Sequence, residues 1–187
     1  PGRIPAGSVS SRLVSAVDLA PTILELAGIT PGPSFQGRSF AKLFDDPTAK
    51  IRDYVYAEHN WHDYQAYERS IRNERFLLIK NWLPQLPRTP PADAVRSPTY
   101  DAMKRLRAQG KLTPPQMEPF VVPRPEVELY DCENDPHNLT NLADRPEYST
   151  IKSELLRALE TWREQTGDSV PEPLTPDKFD RETGKRL

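Results

Sequence analysis

The sequence predicts an α+β fold in which a small antiparallel β-sheet packs against a C-terminal amphipathic helix. Two observations predict the sheet. Runs rich in β-branched and aromatic residues recur along the chain, and two of them, at 67–72 and 75–80, flank Asn73 and Glu74, which suit a hairpin turn. A third observation predicts the helix, because apolar residues recur at helical spacing over residues 148–166.

The first predicted element is a helix over about residues 15–28. Ser15 and Asp18 have the spacing of a capping box, Asp18 is the better N-cap, and Pro21 is tolerated in a first helical turn. Gly28 is a signal for the C-terminal end. As the N-cap of a well-formed helix, Asp18 is interpreted as structural rather than catalytic.

The strands are predicted next. A short β-prone run covers residues 54–57, the two hairpin strands follow, and a further strand covers residues 127–131. A stretch from 84 to 125, called the proline-rich segment below, interrupts the sheet and carries its own helix. Ser97 is a good N-cap for that helix and Gly110 marks its end.

The C-terminal helix has the clearest amphipathic pattern. One face carries its large apolar side chains, and acidic and basic residues at spacing three lie on the opposite side. The apolar face consists of Tyr148, Ile151, Leu155, Leu159 and Trp162. Residues 169–187 form a polar tail, which we expect to wrap over a surface or to be mobile.

Length, composition and charge exclude several classes of protein. A chain of 187 residues suits one domain with a core, and 21 prolines, roughly twice the usual frequency, indicate long irregular connections. The net charge of −2 does not indicate nucleic-acid binding, which depends on an excess of positive charge. One cysteine, Cys132, excludes an internal disulfide framework and a multi-thiolate zinc site. No apolar run approaches a membrane span, and the first residues lack the apolar core of a signal peptide.

The polar cluster over residues 58–64 is the best candidate binding site. It contains His59, Asn60 and His62 together with Trp61 and a tyrosine. Histidine and asparagine donate hydrogen bonds and aromatic rings stack, so the cluster suits an anionic or sugar ligand. The alternatives are a plain polar loop that joins two strands, and a metal site, for which a third and a fourth ligand are not evident nearby.

Three arginines, Arg69, Arg72 and Arg75, bracket the predicted hairpin. Two of them suit a bidentate grip on a sulfate or a carboxylate. Strand alternation places Arg69 and Arg72 on opposite faces, so the three cannot all serve one site. The alternative is that they are solvated or paired.

Asp131 and Asp135 resemble calcium ligands, but a turn that is capped by aspartate side chains explains them without a metal. Residues 138–140 fit a glycosylation sequon. The sequence contains no Gly-rich phosphate loop, no Gly-x-Ser-x-Gly elbow and no His-Glu-x-x-His motif.

The order of several short segments resembles the carboxy-terminal end of a sulfatase. The segments are 15–29, 36–40, 52–58, 69–72, 76–81, 128–131, 135–136 and 141–143. The insertion that contains residues 97–100 is similar to that of the heparan N-sulfatase (sulfamidase) branch. The resemblance extends to about residue 168.

The resemblance implies a division of the chain. Residues 1–50 would form the end of an alkaline-phosphatase-like α/β catalytic domain, of which only a late helix is present in this chain. Residues 51–168 would form the sulfatase C-terminal subdomain, with the proline-rich segment as an insertion. Residues 169–187 would form the polar tail.

The resemblance also implies an activity, the hydrolysis of sulfate esters or sulfamates, including those of glycosaminoglycan sugars, by a formylglycine nucleophile beside a calcium ion. The family's nucleophile comes from a Cys/Ser-x-Pro-x-Arg motif, whereas Cys132 is followed by Glu133 and Asn134. No catalytic or metal-binding residue of the family is therefore assigned here, and the chain is expected to be inert alone.

Further implications concern partners and location. The implied partners are the rest of the catalytic domain and a sulfated sugar, with no nucleic acid and no membrane, and an oligomer remains open. The implied locations are secreted, periplasmic or lysosomal.

By position, His59, Asn60, His62 and Arg69 are the expected substrate-binding residues of the intact enzyme. Two other interpretations stay open. One is a non-enzymatic module that binds sulfated glycans or a partner protein. The other is a truncated remnant whose first helix exposes an apolar face.

Overall fold

A four-stranded antiparallel sheet lies at the centre of the computed structural model, which describes residues 4–187. Residues 1–3, where the predicted region 1–50 begins, lie outside the described residues. Each strand pairs with the next one along the chain, so the order is β1-β2-β3-β4. The strands are β1 (Val55–His62), β2 (Tyr64–Arg72), β3 (Phe76–Asn81) and β4 (Val127–Asp131).

Five α-helices occur in the described part of the chain. They are α1 (Leu19–Leu26), α2 (Ala92–Val95), α3 (Pro98–Ala108), α4 (Pro114–Met117) and α5 (Ser149–Thr166). Short 3-10 turns cover Ala16–Asp18, Ala41–Phe44, Glu118–Phe120 and Pro146–Tyr148. The predicted α+β fold, a small antiparallel sheet with a C-terminal helix, is confirmed.

The predicted first helix is shorter than expected, since a 3-10 turn precedes α1. Asp18 occupies the N-cap position, but its carboxylate does not cap α1. It accepts hydrogen bonds from the backbone amides of Ser15 (2.7 Å) and Arg38 (2.8 Å), and it pairs with the guanidinium of Arg52. Asp18 is fully buried, so it is a structural anchor between three segments.

Residues 58–64 do not form a plain polar loop, which was one of the alternatives that the sequence left open. The predicted short strand at 54–57 continues to His62, and a tight turn at Asp63 leads directly into β2. Asp63 has a φ of 65°, a left-handed conformation that aspartate tolerates better than most residues. Because β1 is an edge strand and largely exposed, its polar side chains stay in contact with water and do not destabilise the fold. The sequence of β1 therefore lacks the apolar pattern that predicts a strand.

One face of the sheet packs against α5 and forms the main core. Ile71, Leu78 and Leu129 from β2, β3 and β4 meet Leu155 and Leu159 of the helix, and all five side chains are buried. Tyr148, Ile151 and Trp162 pack at the margin of this cluster. The predicted apolar face of the C-terminal helix is therefore confirmed.

A second core cluster involves the proline-rich segment. Tyr64 from the start of β2 packs with Ala92, Val95, Tyr100 and Phe120. The α3 helix begins as predicted, because the Ser97 side chain accepts a hydrogen bond from the Tyr100 amide (3.2 Å). This cluster holds the segment beside the sheet.

The tail over residues 169–187 wraps over the β1–β2 turn. Trp61 donates its indole N–H to the carbonyl of Pro176 (2.9 Å), and the carboxylate of Asp177 accepts from the Gln65 amide (2.6 Å). The Lys178 amide bonds to the Asp63 carbonyl (2.9 Å). Of the two behaviours expected for the tail, the structure shows wrapping.

Among residues 4–187, none of the helices combines the length and the apolar character that crossing a membrane requires.

Candidate functional site

A cleft lies between the proline-rich segment and the face of the sheet that α5 leaves uncovered. One part of it, called the histidine cavity below, has a volume of about 470 Å³. His59 and His62 line it together with Glu68, Arg88 and Glu118, and Thr89 and three prolines complete the wall. Both predicted histidines therefore face one concave space.

The local geometry of β1 explains how two histidines at spacing three converge. Regular alternation would place them on opposite faces of the strand. The pairing of β1 with β2 is irregular between His59 and Trp61, since His59 is opposite Glu68 but Trp61 is opposite Gln65. The tight turn at Asp63 follows at once, so His62 sits at the strand end.

Asn60 and Arg69 are not among the residues that line the histidine cavity. The Asn60 amide donates to Glu58 (3.4 Å), and Glu58 lies 3.6 Å from the Arg69 guanidinium. Arg69 is 2% exposed and grips Asp168 with its Nε (2.9 Å) and Nη2 (2.6 Å) atoms. A direct contact between Arg69 and a ligand would require Asp168 to be displaced.

The four expected substrate-binding residues are thus divided by the sheet. His59 and His62 come together, whereas Asn60 and Arg69 belong to a separate polar group. Arg72 lies at the exposed end of β2.

Charged side chains form the floor of the cleft. Arg88 donates to Glu118 (2.5 Å) and to Glu128 (2.8 Å), and Arg124 donates to Glu68 (2.5 Å). Burial alone would lower the pKa of the Arg88 guanidinium, but the adjacent carboxylates of Glu128, Glu118 and Glu68 raise this pKa above its usual value. Arg88 therefore stays charged at the centre of the cleft.

Sequence reasoning missed these charged residues. Arg88, Glu118 and Arg124 lie in the proline-rich segment, which was interpreted as an insertion with its own helix and not as part of a binding site. Glu128 alternates with the buried Leu129 on β4, so alternation alone places its side chain on the cleft side. That alternation was the available signal.

The comparisons with known proteins agree with this architecture. Residues 1–85 match the family described as N-sulphoglucosamine sulphohydrolase, C-terminal. The chain is 36% identical over 175 residues to an ulvan-active sulfatase of Formosa agariphila, and the matched region covers 92% of this chain and 29% of that protein. It is 29% identical over 176 residues to N-sulphoglucosamine sulphohydrolase of Homo sapiens, with 87% and 34% covered.

The chain belongs to the sulfatase family. It resembles the C-terminal portion of these enzymes, and it spans only 29% and 34% of the two relatives' lengths. The expected likeness to the sulfamidase branch is confirmed by the family match.

Solved structures share the sulfatase fold seen here. A structure described as BT4656 in complex with its substrate D-glucosamine-2-N,6-O-disulfate superposes with a TM-score of 0.62 at 23% identity, over 92% of this chain and 28% of that one. A second, described as BT1596, a 2-O GAG sulfatase, gives a TM-score of 0.55 at 21% identity, over 91% and 30%. At these identities the likeness concerns the fold.

Sulfatases are expected to use calcium, and within residues 4–187 the side chains do not fit such a site. Residues 4–187 contain no cluster of three or more His, Cys, Asp or Glu side chains that could hold a metal ion. Asp131 instead pairs with Arg75 (2.7 Å) and accepts from Asn134 (2.9 Å), and the pKa of Asp131 lies well below its usual range because of the Arg75 hydrogen bonds. Asp135 accepts from the Thr140 amide (2.8 Å), as a turn residue does.

Proposed function

We propose that this chain is the C-terminal part of an enzyme that hydrolyses sulfate esters or sulfamates of sulfated sugars, and that the histidine cavity forms part of its substrate pocket. The convergence of His59 and His62 on one cavity carries the proposal. The names of the relatives, an ulvan-active sulfatase and N-sulphoglucosamine sulphohydrolase, support the class of substrate.

The chemistry of the cavity suits recognition rather than bond breaking. Imidazole N–H groups donate hydrogen bonds to sulfate oxygens or sugar hydroxyls, and Arg88 offsets the negative charges of Glu68 and Glu118 in the same cavity. In the intact enzyme a formylglycine would supply the nucleophile and calcium would stabilise charge. No residue of this chain is assigned to either role, so the isolated chain is expected to release no sulfate from an aryl sulfate or N-sulfated glucosamine.

We further propose that residues 1–50 complete a catalytic domain, that residues 51–168 form the C-terminal subdomain, and that residues 169–187 fasten it. The apolar side of α1 supports the first part. Leu19, Ile23 and Leu26 recur at helical spacing on this short helix and remain exposed. The rest of the catalytic domain is the proposed partner that covers them.

The proposal about the histidine cavity is tested by kinetics of the full-length protein. Substitution of His59, His62 or Arg69 by Ala is expected to raise KM or lower kcat for a sulfated sugar. For each histidine, the lost contact with the ligand is expected to lower kcat/KM about tenfold. Arg72→Ala is the matched control, since Arg72 is exposed on the same strand as Arg69.

Arg69→Ala also removes one of the hydrogen-bond partners of Asp168, so thermal unfolding of each variant must accompany the kinetics. An effect of Arg69→Ala that disappears once the folded fraction is accounted for assigns Arg69 to structure. Unchanged kinetics for all three variants would refute the proposal.

A further inference from the structure

The histidine cavity is one end of a longer groove. A second cavity of about 520 Å³ lies along the same face of the sheet and shares Arg88 and Glu118 with the first. It is called the second cavity below, and its lining includes Leu77, Ile79, Tyr130, His137 and Leu139. The Arg88–Glu118 ion pair therefore stands between two adjoining spaces.

The second cavity has the composition of a small-molecule site. Apolar side chains of the sheet and of the 114–125 stretch form one part of its wall, and polar and charged side chains form the other. The polar groups include the side chains of His137, Asn138 and Asn141. A sugar ring presents apolar faces and hydroxyl edges, and a cavity of this volume and mixed lining suits such a ligand.

The bonding of Arg88 indicates how a charged ligand could enter. Its Nη2 atom is held by Glu128, whose side chain is 6% exposed and also accepts from the Tyr130 hydroxyl (2.7 Å). Its Nη1 atom is held by Glu118, whose side chain is 45% exposed. Glu118 can turn into water, whereas Glu128 cannot.

The charge balance changes when Glu118 turns away. Arg88 and Arg124 then face Glu68 and Glu128, two positive charges against two negative ones. The Nη1 donor of Arg88 becomes free at the junction of the two cavities. An anionic group at that point would replace Glu118 without leaving a buried carboxylate unpaired.

We propose that the second cavity binds the neighbouring sugar of an anionic glycan chain, and that Arg88 exchanges Glu118 for a sulfate or carboxylate of that ligand. This inference rests on the proposed function, in which the histidine cavity holds a sulfated sugar. It assigns the substrate class as an oligosaccharide rather than a monosaccharide, with Arg88 as a specificity-determining residue.

The test compares two probes by NMR titration of this chain: N-sulfated glucosamine, and a disaccharide that joins this sugar to a uronate. The disaccharide is expected to bind about tenfold more tightly, the effect of one added charge-assisted contact. Backbone amides of Leu77 and Leu139 in the second cavity should shift with the disaccharide and not with the monosaccharide.

Two variants separate the second cavity from the first. Glu118→Gln removes the competing carboxylate and is expected to tighten disaccharide binding severalfold more than it tightens monosaccharide binding, since Glu118 lines both cavities. Leu139→Trp, at an exposed position on the cavity wall, should fill the second cavity and reduce disaccharide affinity to the monosaccharide value. Glu164→Gln, an exposed charge on α5, is the matched control for the loss of a carboxylate.

Each outcome decides one of the two proposals. If the monosaccharide does not bind, the proposed pocket is wrong and the second subsite fails with it. If the monosaccharide binds but the disaccharide gains nothing, only the second subsite is overturned. Tighter disaccharide binding that neither variant alters would place the second sugar elsewhere and also overturn it.

Discussion

Asp168 receives hydrogen bonds from side chains of two different elements. Arg69 and Tyr67 donate from β2, and Arg163 donates its Nε (2.9 Å) from the last turn of α5. The pKa of Asp168 is lowered to about 2, and the hydrogen bonds from Arg69 are the largest cause. Hydrogen bonds from Arg163 and Tyr67 lower this pKa further, while burial raises it. One carboxylate therefore ties the end of α5 to the sheet.

Asp168→Asn is expected to lower the free energy of unfolding by about 3 kcal/mol at neutral pH, because it removes the anion that the buried Arg69 and the partly buried Arg163 share. The carboxylate's contribution is fully present above the unfolded pKa of about 3.9 and is lost as the pH falls towards the folded pKa of about 2. Urea unfolding of both proteins from pH 7 to pH 2 measures this.

The difference in stability between the wild type and Asp168→Asn should therefore narrow below about pH 4. Asp144→Asn, at an exposed position, is the control and should match the wild type within about 0.5 kcal/mol. A difference that stays constant down to pH 2 would contradict the assignment of the ion pair.

At the scale of elements, α1 and the segment that follows it depend on a close backbone approach. A Cβ at Gly37 would lie 1.9 Å from the Val17 carbonyl oxygen and 2.9 Å from the Asp18 amide nitrogen. The neighbouring Arg38 amide donates to the Asp18 carboxylate (2.8 Å). Glycine at 37 thus allows the buried Asp18 to bind the chain that returns past it.

Gly37→Ala is expected to destabilise the protein by about 2 kcal/mol, since the added methyl group overlaps backbone atoms that cannot rotate away. Thermal unfolding followed by circular dichroism measures the effect. Gly32→Ala is the matched control in the same region, because nothing lies within 4 Å of its Cβ position and no positive φ is involved. Equal melting temperatures for the two variants would show that the close approach is not formed.

Local sequence patterns predicted only the first part of the edge strand β1. The hairpin turn near Asn73, the strand Val127–Asp131 and the helix from Ser97 carry local signals, and the structure has each of them as predicted. Beyond Ala57 the β1 sequence is polar and lacks such a signal, since its outer edge is not covered by another strand. Only its pairing with β2 makes it a strand.

At the scale of the whole molecule, the sheet separates two environments. One face is sealed by α5, and the other carries the cleft under the proline-rich segment. The apolar side of α1 lies outside both, and Ile23 on it is 65% exposed. A surface of this kind associates in water unless another part of the protein covers it.

We expect the chain on its own to associate in a concentration-dependent way through α1, which size-exclusion chromatography with light scattering measures. Ile23→Glu should shift the population towards the monomer by adding a charge to the apolar side. Glu25→Gln, on the same helix, is the control and should leave the association unchanged. A chain that is monomeric at all concentrations would argue against α1 as a docking surface.

The candidate site was predictable only in part. The residue types at 58–64 indicated a polar binding site, but the sequence did not show that His59 and His62 meet while Asn60 and Arg69 turn to other partners. That division depends on the irregular pairing of β1 with β2 and on the position of Asp168, about 100 residues later in the chain.

The sequence by itself determined the class of fold, most of the element boundaries and the family, because capping residues, turn residues and apolar periodicity act over a few neighbouring positions. Tertiary structure alone decided the cleft. Arg88, Glu118 and Glu128 become neighbours because the proline-rich segment folds back over the sheet. Contacts between residues so far apart follow from packing of the whole chain, which no local pattern records.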